Sequence, residues 1–412
     1  MPATELAGPV RRGERIQALD VIRGFALLGI LLMNIQYFSM ISAAYFNPTA
    51  YGDLTGLNYV VWLLSHMFAD QKFMTIFAML FGAGIVLMAE RAEAVGTNPA
   101  WLHYRRMFLL VLIGLMHAHL LFYGDILFMY GVTAFVVYWF RRLPAPWVIA
   151  LGLAMLMIGS GLYLSSGSTV EHWPEEVRAA FASDWAPSEG KVATELAAYR
   201  GGWFDQASHR TPYAIEFETR NFTFWGFWRS GGLMLIGMGL FKLKVFQLAD
   251  LRRFAFPAMA IGGLIGLPIV AFGVYQNTAH GWTADFSFWF GIQYNYWGSI
   301  LVSFGWIGLI LWLMTLNGFA PLGRRLSAVG QMALSNYILQ SLICSLIFYG
   351  TGLGLFGSVE RTGQILIVFG VWVIQLIVSP LWLAQFRYGP LEWVWRSLTY
   401  GRAQPLVRKI EA

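Results

Sequence analysis

The stretch Leu19-Asp20-Val21-Ile22-Arg23-Gly24-Phe25-Ala26-Leu27-Leu28-Gly29-Ile30-Leu31-Leu32-Met33-Asn34 decides how the rest of the chain is read. With its flanks it is apolar over a length that crosses a bilayer, yet it holds a carboxylate and a guanidinium near one end and an amide deep inside. Lipid cannot solvate such groups, so Asp20, Arg23 and Asn34 are expected to face other protein segments or a wet cavity. Polar residues from elsewhere in the chain should meet them there.

Composition extends this reading to the whole chain. Of 412 residues, 57% are hydrophobic, 17% aromatic and only 12% charged, against about 25% charged in soluble domains. An integral membrane protein is expected. The net charge of +6 does not indicate nucleic acid, because the basic residues follow the ends of apolar runs and form no surface-like patch. The single cysteine, Cys344, lies inside an apolar run, which excludes an intrachain disulfide and a thiolate metal cluster. The first apolar run is too long for a signal-peptide core and no small-x-small cleavage pattern follows, so it is expected to be retained.

Marking apolar runs of roughly 20 residues gives about ten spans: 18–43, 58–89, 103–121, 125–140, 145–164, 222–241, 254–275, 286–315, 327–350 and 362–384. His66, Asp70, Gln71 and Lys72 interrupt the second, which therefore divides into an interfacial or re-entrant piece, 58–69, and a span from about Phe73 to Met88. Basic residues cluster in alternate connections, beginning with Arg11, Arg12 and Arg15 and ending with Arg402, Arg408 and Lys409, so both termini are expected in the cytoplasm. The expected fold class is all-α, a polytopic helical bundle. Its divisions are an N-terminal membrane bundle, 1–164; a periplasmic insertion of two or three short helices, 165–221; a C-terminal membrane bundle, 222–400; and a cytoplasmic tail, 401–412. Tryptophans near span ends read as interfacial anchors. Phe81-Gly82-Ala83-Gly84 and Gly262-Gly263 read as sites of close helix approach. No internal repeat of the kind that marks many transporters is evident.

Chemistry requires polar groups at matching depths. At 1.5 Å per helical residue, Asn34 lies roughly 16 Å beyond Arg23 toward the outside. His117 and His119 fall near the outer end of the third span, and a short connection brings Asp125 to the outer start of the fourth. A histidine with a carboxylate neighbour accepts and returns a proton near neutral pH. Asp125 reads equally as a helix N-cap in Gly124-Asp125-Ile126-Leu127, and His117 equally as a packed, hydrogen-bonded core residue. His66 and Asp70 share a helix face at i, i+4, a spacing open to metal binding, a proton relay or plain solvation. Arg229 reads as a snorkelling side chain or a partner of Glu216 or Glu218, and Lys72 as an anion ligand or an anchor. There is no Gly-rich phosphate loop, nucleophile elbow or HExxH zinc helix.

Several pieces together carry a resemblance: Leu19-Asp20…Arg23-Gly24…Asn34, Asn47-Pro48…Tyr51-Gly52, Lys72-Phe73…Leu80-Phe81-Gly82-Ala83-Gly84, His117…Gly124-Asp125-Ile126-Leu127, Gly330-Gln331-Met332-Ala333-Leu334-Ser335-Asn336-Tyr337…Gln340-Ser341 and Phe386-Arg387…Gly389-Pro390-Leu391-Glu392-Trp393. The chain resembles, almost end to end, the YeiB family of bacterial inner-membrane proteins, and its part from about Leu235 on looks like that family's domain of unknown function. The first span is also similar to the opening helix of transmembrane acyltransferases, including the heparan-α-glucosaminide acetyltransferases and the O-acyltransferases of bacterial surface sugars. In the latter an arginine is followed at this spacing by a histidine, where this chain has Asn34. The lysosomal group is similar in having asparagine there but uses a histidine in the next outer loop, and loop 44–57 holds none.

The leading expectation is an acyl-CoA-dependent transmembrane acyltransferase, with acyl-CoA or acetyl-CoA as co-substrate and a base other than the family's histidines. Arg23, Arg105 and Arg106 would bind the CoA phosphates. His117 would act as general base, Asp125 would orient it and Asn34 would stabilise the oxyanion. The acceptor would be a periplasmic glycan or lipid. Beyond the lipid bilayer itself, a homodimer partner stays open. The competing expectation is a transporter or lipid-binding membrane protein without covalent chemistry; a third is a scaffold whose outer insertion docks a partner.

Overall fold

The structure, a computed structural model, describes residues 16–247 and 251–408. Arg11, Arg12, Arg15 and Lys409, on which part of the orientation rests, lie outside the described residues. Described in chain order, the first half contains α1 (Gln17–Ser39), α2 (Ala43–Phe46), α3 (Gly56–Phe68), α4 (Lys72–Ala94), α5 (Pro99–Leu120), α6 (Leu127–Val137) and α7 (Ala145–Thr169). The insertion holds α8 (Glu175–Trp185), α9 (Glu189–Arg200) and α10 (Trp203–Glu216). The second half contains α11 (Phe227–Lys242), α12 (Arg252–Ile261), α13 (Leu267–Ala279), α14 (Ala284–Phe286), α15 (Ile292–Leu313), α16 (Ala320–Gln331), α17 (Ala333–Phe348), α18 (Arg361–Gln385) and α19 (Pro390–Tyr400). Among the described residues the only β pairing is an isolated bridge between Phe386 and Val407.

By length and composition, six helical units can cross a membrane: Gln17–Ser39, Gly56–Ala94, Ala145–His172, Arg252–Ala279, Ala284–Leu313 and Arg361–Gln385. A seventh is the pair Asn317–Gln331 and Ala333–Phe348, bent by 84°. The other places where the sequence puts a span are helices α5, α6 and α11. They are set apart because α5 carries His103, Arg105, Arg106, His117 and His119, while α6 and α11 are short.

Helix α1 is the hub, buried along most of its length and packed against α4, α16, α17 and α18. Without a hydrophobic force between helices in lipid, tight packing supplies the association, and small residues permit it. At the α1–α16 crossing a Cβ on Gly24 would come within 1.9 Å of the Leu326 carbonyl oxygen, and one on Gly330 within 2.0 Å of the Asp20 carbonyl. Gly82 and Gly237 repeat the device between α4 and α11, each against the other helix's backbone. Of the two sequence pairs read as close approaches, only one member of each is used: Gly82 and Gly262 pack on a neighbour's backbone, whereas Gly84 and Gly263 face open space.

The 58–89 run breaks between α3 and α4, where polar residues interrupt it. Gln71 takes a left-handed φ of 62°, and the Ser65 carbonyl accepts the amides of both Ala69 and Asp70. The break lies inside the bundle, since Lys72 is completely buried and a Cβ on Gly29, midway along α1, would strike the Phe73 ring. The second bend, at Met332, exposes the amides that open α17, and the Glu392 carboxylate of α19 caps them. Its Oε1 accepts from Leu334 N (2.7 Å) and Ser335 N (3.1 Å). The insertion is clamped onto the bundle end where α1 finishes. Glu195 accepts from Ser42 N (2.8 Å), Arg210 donates to the His119 carbonyl (2.8 Å), and Gly350 N donates to the Tyr199 carbonyl (2.9 Å).

Candidate functional site

A cavity of about 520 Å³ lies among α1, α4, α5, α6, α17 and α19. One part of its wall is charged, with Asp20, Arg23, Arg91, Arg106, Glu392 and Arg396. Glu392 is engaged as the cap of α17, and Arg23 donates to Asp20 (2.9 Å), which leaves the wall net basic. Arg106 is held in place from α19: its guanidinium stacks over the Trp395 ring at 4.3 Å, and Trp395 Nε1 donates to its carbonyl (3.0 Å). The remaining wall is apolar, with Leu27, Ile30, Phe77, Leu80, Leu110 and Ile126 among its members. A cavity basic at one part and greasy along the rest suits an amphiphile with an anionic head.

Beyond the far wall, a second feature arises from the α5–α6 connection. The chain turns tightly after His117, whose carbonyl accepts the amides of Leu121 and Phe122, and this returns Asp125 beneath the imidazole. Asp125 Oδ1 accepts from His117 Nδ1 (2.8 Å), while Oδ2 accepts from Phe128 N (2.7 Å). The carboxylate thus caps α6 and orients the histidine, one oxygen for each task. Gly114 makes room, since a Cβ there would meet Phe128 N at 2.3 Å and Asp125 Oδ2 at 2.8 Å. With Nδ1–H committed to the carboxylate, Nε2 presents a lone pair, and Ser341 Oγ of α17 donates to it (2.8 Å). His117, Asp125 and Ser341 are each 2% exposed. Tyr337, one turn before Ser341, separates them from the cavity; it lines the cavity, its ring centre is 5.0 Å from that of His117, and its buried hydroxyl bonds no side chain and meets only the Ile126 backbone.

Of the residues singled out from sequence, His117 and Asp125 come together, and Arg23 and Arg106 both face the cavity. Asn34 is partly exposed, lies outside the cavity lining and makes no side-chain hydrogen bond among the described residues. Arg105 also lies outside the lining, its guanidinium beside Gly401. His119 pairs with Glu218 (3.3 Å) and its carbonyl holds Arg210. Sequence reasoning missed the roles of Arg91, Arg396, Tyr337 and Ser341. The signal for the last two was the polar spacing Asn336, Tyr337, Gln340, Ser341 within an otherwise apolar helix.

A second buried polar cluster lies where α3, α4, α11 and α15 meet. Lys72 Nζ donates to Asn295 Oδ1 (2.6 Å) and the His66 carbonyl (2.7 Å), and Asn295 Nδ2 donates to Asp70 Oδ2 (2.7 Å). Asp70 also receives Tyr45 OH (3.1 Å) and His66 Nδ1 (3.1 Å). Arg229 neither snorkels nor pairs with Glu216 or Glu218. It is fully buried and donates to the Tyr296 carbonyl (2.9 Å), Ser299 Oγ (2.8 Å) and Thr75 Oγ1 (3.2 Å). Glu216 is taken by Arg220 and Glu218 by His119. Lys72, fully buried, is no surface anchor either.

This architecture defines a multi-pass helical membrane protein with an amphiphilic cavity in its bundle. The chain is 34% identical to the uncharacterized protein YeiB of Escherichia coli strain K12 over 409 residues, 96% of this chain and 99% of that one. It is 29% identical to the uncharacterized protein YxaH of Bacillus subtilis strain 168, over 97% of this chain and 98% of that one. Residues 240–402 match the family described as "Protein of unknown function (DUF418)". The chain belongs to the YeiB family.

Proposed function

We propose that this protein is a membrane acyltransferase that moves an acyl group from cytoplasmic acyl-CoA, acetyl-CoA included, to a periplasmic glycan or lipid acceptor across the bacterial inner membrane. One observation carries the reading: a 520 Å³ cavity with arginines in one wall and apolar residues along the rest stops one side chain short of a buried carboxylate–imidazole pair. Arg23 and Arg106, joined by Arg91 and Arg396, hold the phosphates by charge-assisted hydrogen bonds. Arg105, outside the lining, has no part in this arrangement. The pantetheine arm and acyl chain lie along the apolar wall and bring the thioester toward Tyr337. His117 acts as general base, its tautomer held by Asp125; Asn34, the sequence candidate for the oxyanion, lies outside the lining and, like Arg105, has no part in this arrangement.

Purified protein should bind acetyl-CoA or palmitoyl-CoA saturably, and release of free CoA should depend on His117. If neither thioester binds, the reading falls. A transporter or lipid-binding protein without covalent chemistry draws on a different observation, the near-complete burial of His117, Asp125 and Ser341 outside the cavity lining. Substrate counterflow in proteoliposomes with no covalent product would favour it.

A further inference from the structure

The acyltransferase reading needs a base, but the structure contains more than a base. His117 Nε2 does not face open volume that an acceptor occupies; it receives a hydrogen bond from the hydroxyl of Ser341, 224 residues away in sequence. Carboxylate, imidazole and hydroxyl are in line, with 2.8 Å from Asp125 Oδ1 to His117 Nδ1 and 2.8 Å from His117 Nε2 to Ser341 Oγ. Such a constellation is recognised by geometry and roles, whatever the order of its members in the chain. A merely packed neutral histidine needs an acceptor for its one N–H, and a backbone carbonyl commonly supplies it, as for His103 with the Ala134 carbonyl (3.0 Å). At His117 both partners are side chains, one an anchored carboxylate and the other a hydroxyl.

We propose that Ser341 is the nucleophile that carries the acyl group, so that transfer runs through a serine ester; this rests on the acyltransferase reading above. Ser341 Oγ attacks the thioester carbonyl carbon and its proton passes to His117 Nε2. The C–S bond breaks, the proton leaves on sulfur as free CoA thiol, and the acyl group stays on Oγ. In the second half, an acceptor hydroxyl or amine attacks the ester carbonyl. Its proton passes to Nε2 and on to Ser341 Oγ as the C–O bond breaks, restoring the serine. Nothing is oxidised or reduced, and Asp125 keeps its hydrogen bond to His117 Nδ1 throughout.

Access is through Tyr337. It lies one turn before Ser341 on the same face of α17, lines the cavity and abuts the His117 ring. Its buried hydroxyl meets only the Ile126 backbone and no side chain, so turning the ring aside gives up that one contact. The thioester then reaches a nucleophile that is sealed from water between turnovers.

The test uses the full-length protein in detergent with acetyl-CoA or palmitoyl-CoA and no acceptor. Free thiol, intact mass and the mass of the peptide containing Ser341 are followed, with retention of the thioester on the protein measured separately. The expected result is a burst of about one CoA per chain and one acyl increment on Ser341. Ser341→Ala should lose both, while Ser341→Cys should keep an adduct that neutral hydroxylamine removes. An adduct on another residue, or CoA release by Ser341→Ala at the wild-type rate, overturns the serine ester and leaves the acyltransferase standing. Failure of wild type to retain either thioester overturns both.

Discussion

Two buried polar clusters occupy the same bundle, and their difference separates a candidate site from a structural joint. Around Asp70, Lys72 and Arg229 the charges are spent on tying five helices together. Bonds run to Asn295, Tyr45, the His66 and Tyr296 carbonyls, Ser299 and Thr75. Around His117 the groups hold one another in line next to a cavity, and the residue between, Tyr337, commits its hydroxyl to no side chain. Burial of charge alone therefore does not mark a candidate site; burial beside usable volume does.

The largest expected effect tests the joint. Arg229→Ala leaves the Tyr296 carbonyl and the Ser299 and Thr75 hydroxyls without this donor, at about 1–3 kcal/mol for each group left unpaired, read as a large fall in thermal unfolding midpoint in detergent. If His117→Ala unfolds the protein as badly, the distinction collapses and His117 is a joint too. What His117→Ala should lose is turnover, by roughly 10²- to 10⁴-fold in CoA release, with acyl-CoA binding retained. A third buried carboxylate, on the insertion, sharpens the contrast. Burial pushes the Glu195 carboxyl up to about 7, partly offset by hydrogen bonds from Ser42, and His209 lies 4.0 Å away. The folded chain holds that proton more tightly than the unfolded one, so the contribution is complete below about pH 4.5 and is lost as pH rises to about 7. The loss should reach about 3 kcal/mol at most, from roughly 1.4 kcal/mol per pH unit, and Glu195→Gln should flatten it in unfolding profiles between pH 4 and 8. The smallest expected effect is at the cavity wall. Arg23→Ala and Arg106→Ala should each weaken acyl-CoA binding about tenfold, as loss of one charged hydrogen bond predicts, while Arg105→Ala should leave it unchanged.

Much of this architecture was legible in the chain. The break between α3 and α4 falls where Asp70, Gln71 and Lys72 interrupt an apolar run, because charge cannot stay in lipid unpaired. The meeting of His117 and Asp125 was legible because only seven residues separate them. Ser341 was not, because its approach to His117 depends on the 84° bend at Met332, which a local pattern does not encode. The destination of Arg229 was misread for a related reason. A guanidinium near a span end ordinarily reaches for water, but the Thr75 and Ser299 hydroxyls and the Tyr296 carbonyl wait on two other helices.

The glycine contact between α1 and α16 has a consequence for where this protein can be cut. Residues 240–402 carry the family signature, yet Gly330 within them is seated on the backbone of Asp20 and Gly24 from the other half. That segment owns the hydroxyl and lacks the imidazole; the remainder owns the imidazole and lacks the hydroxyl. A truncation made along the edge of that match would therefore tear apart the α1–α16 contact and part His117 from Ser341.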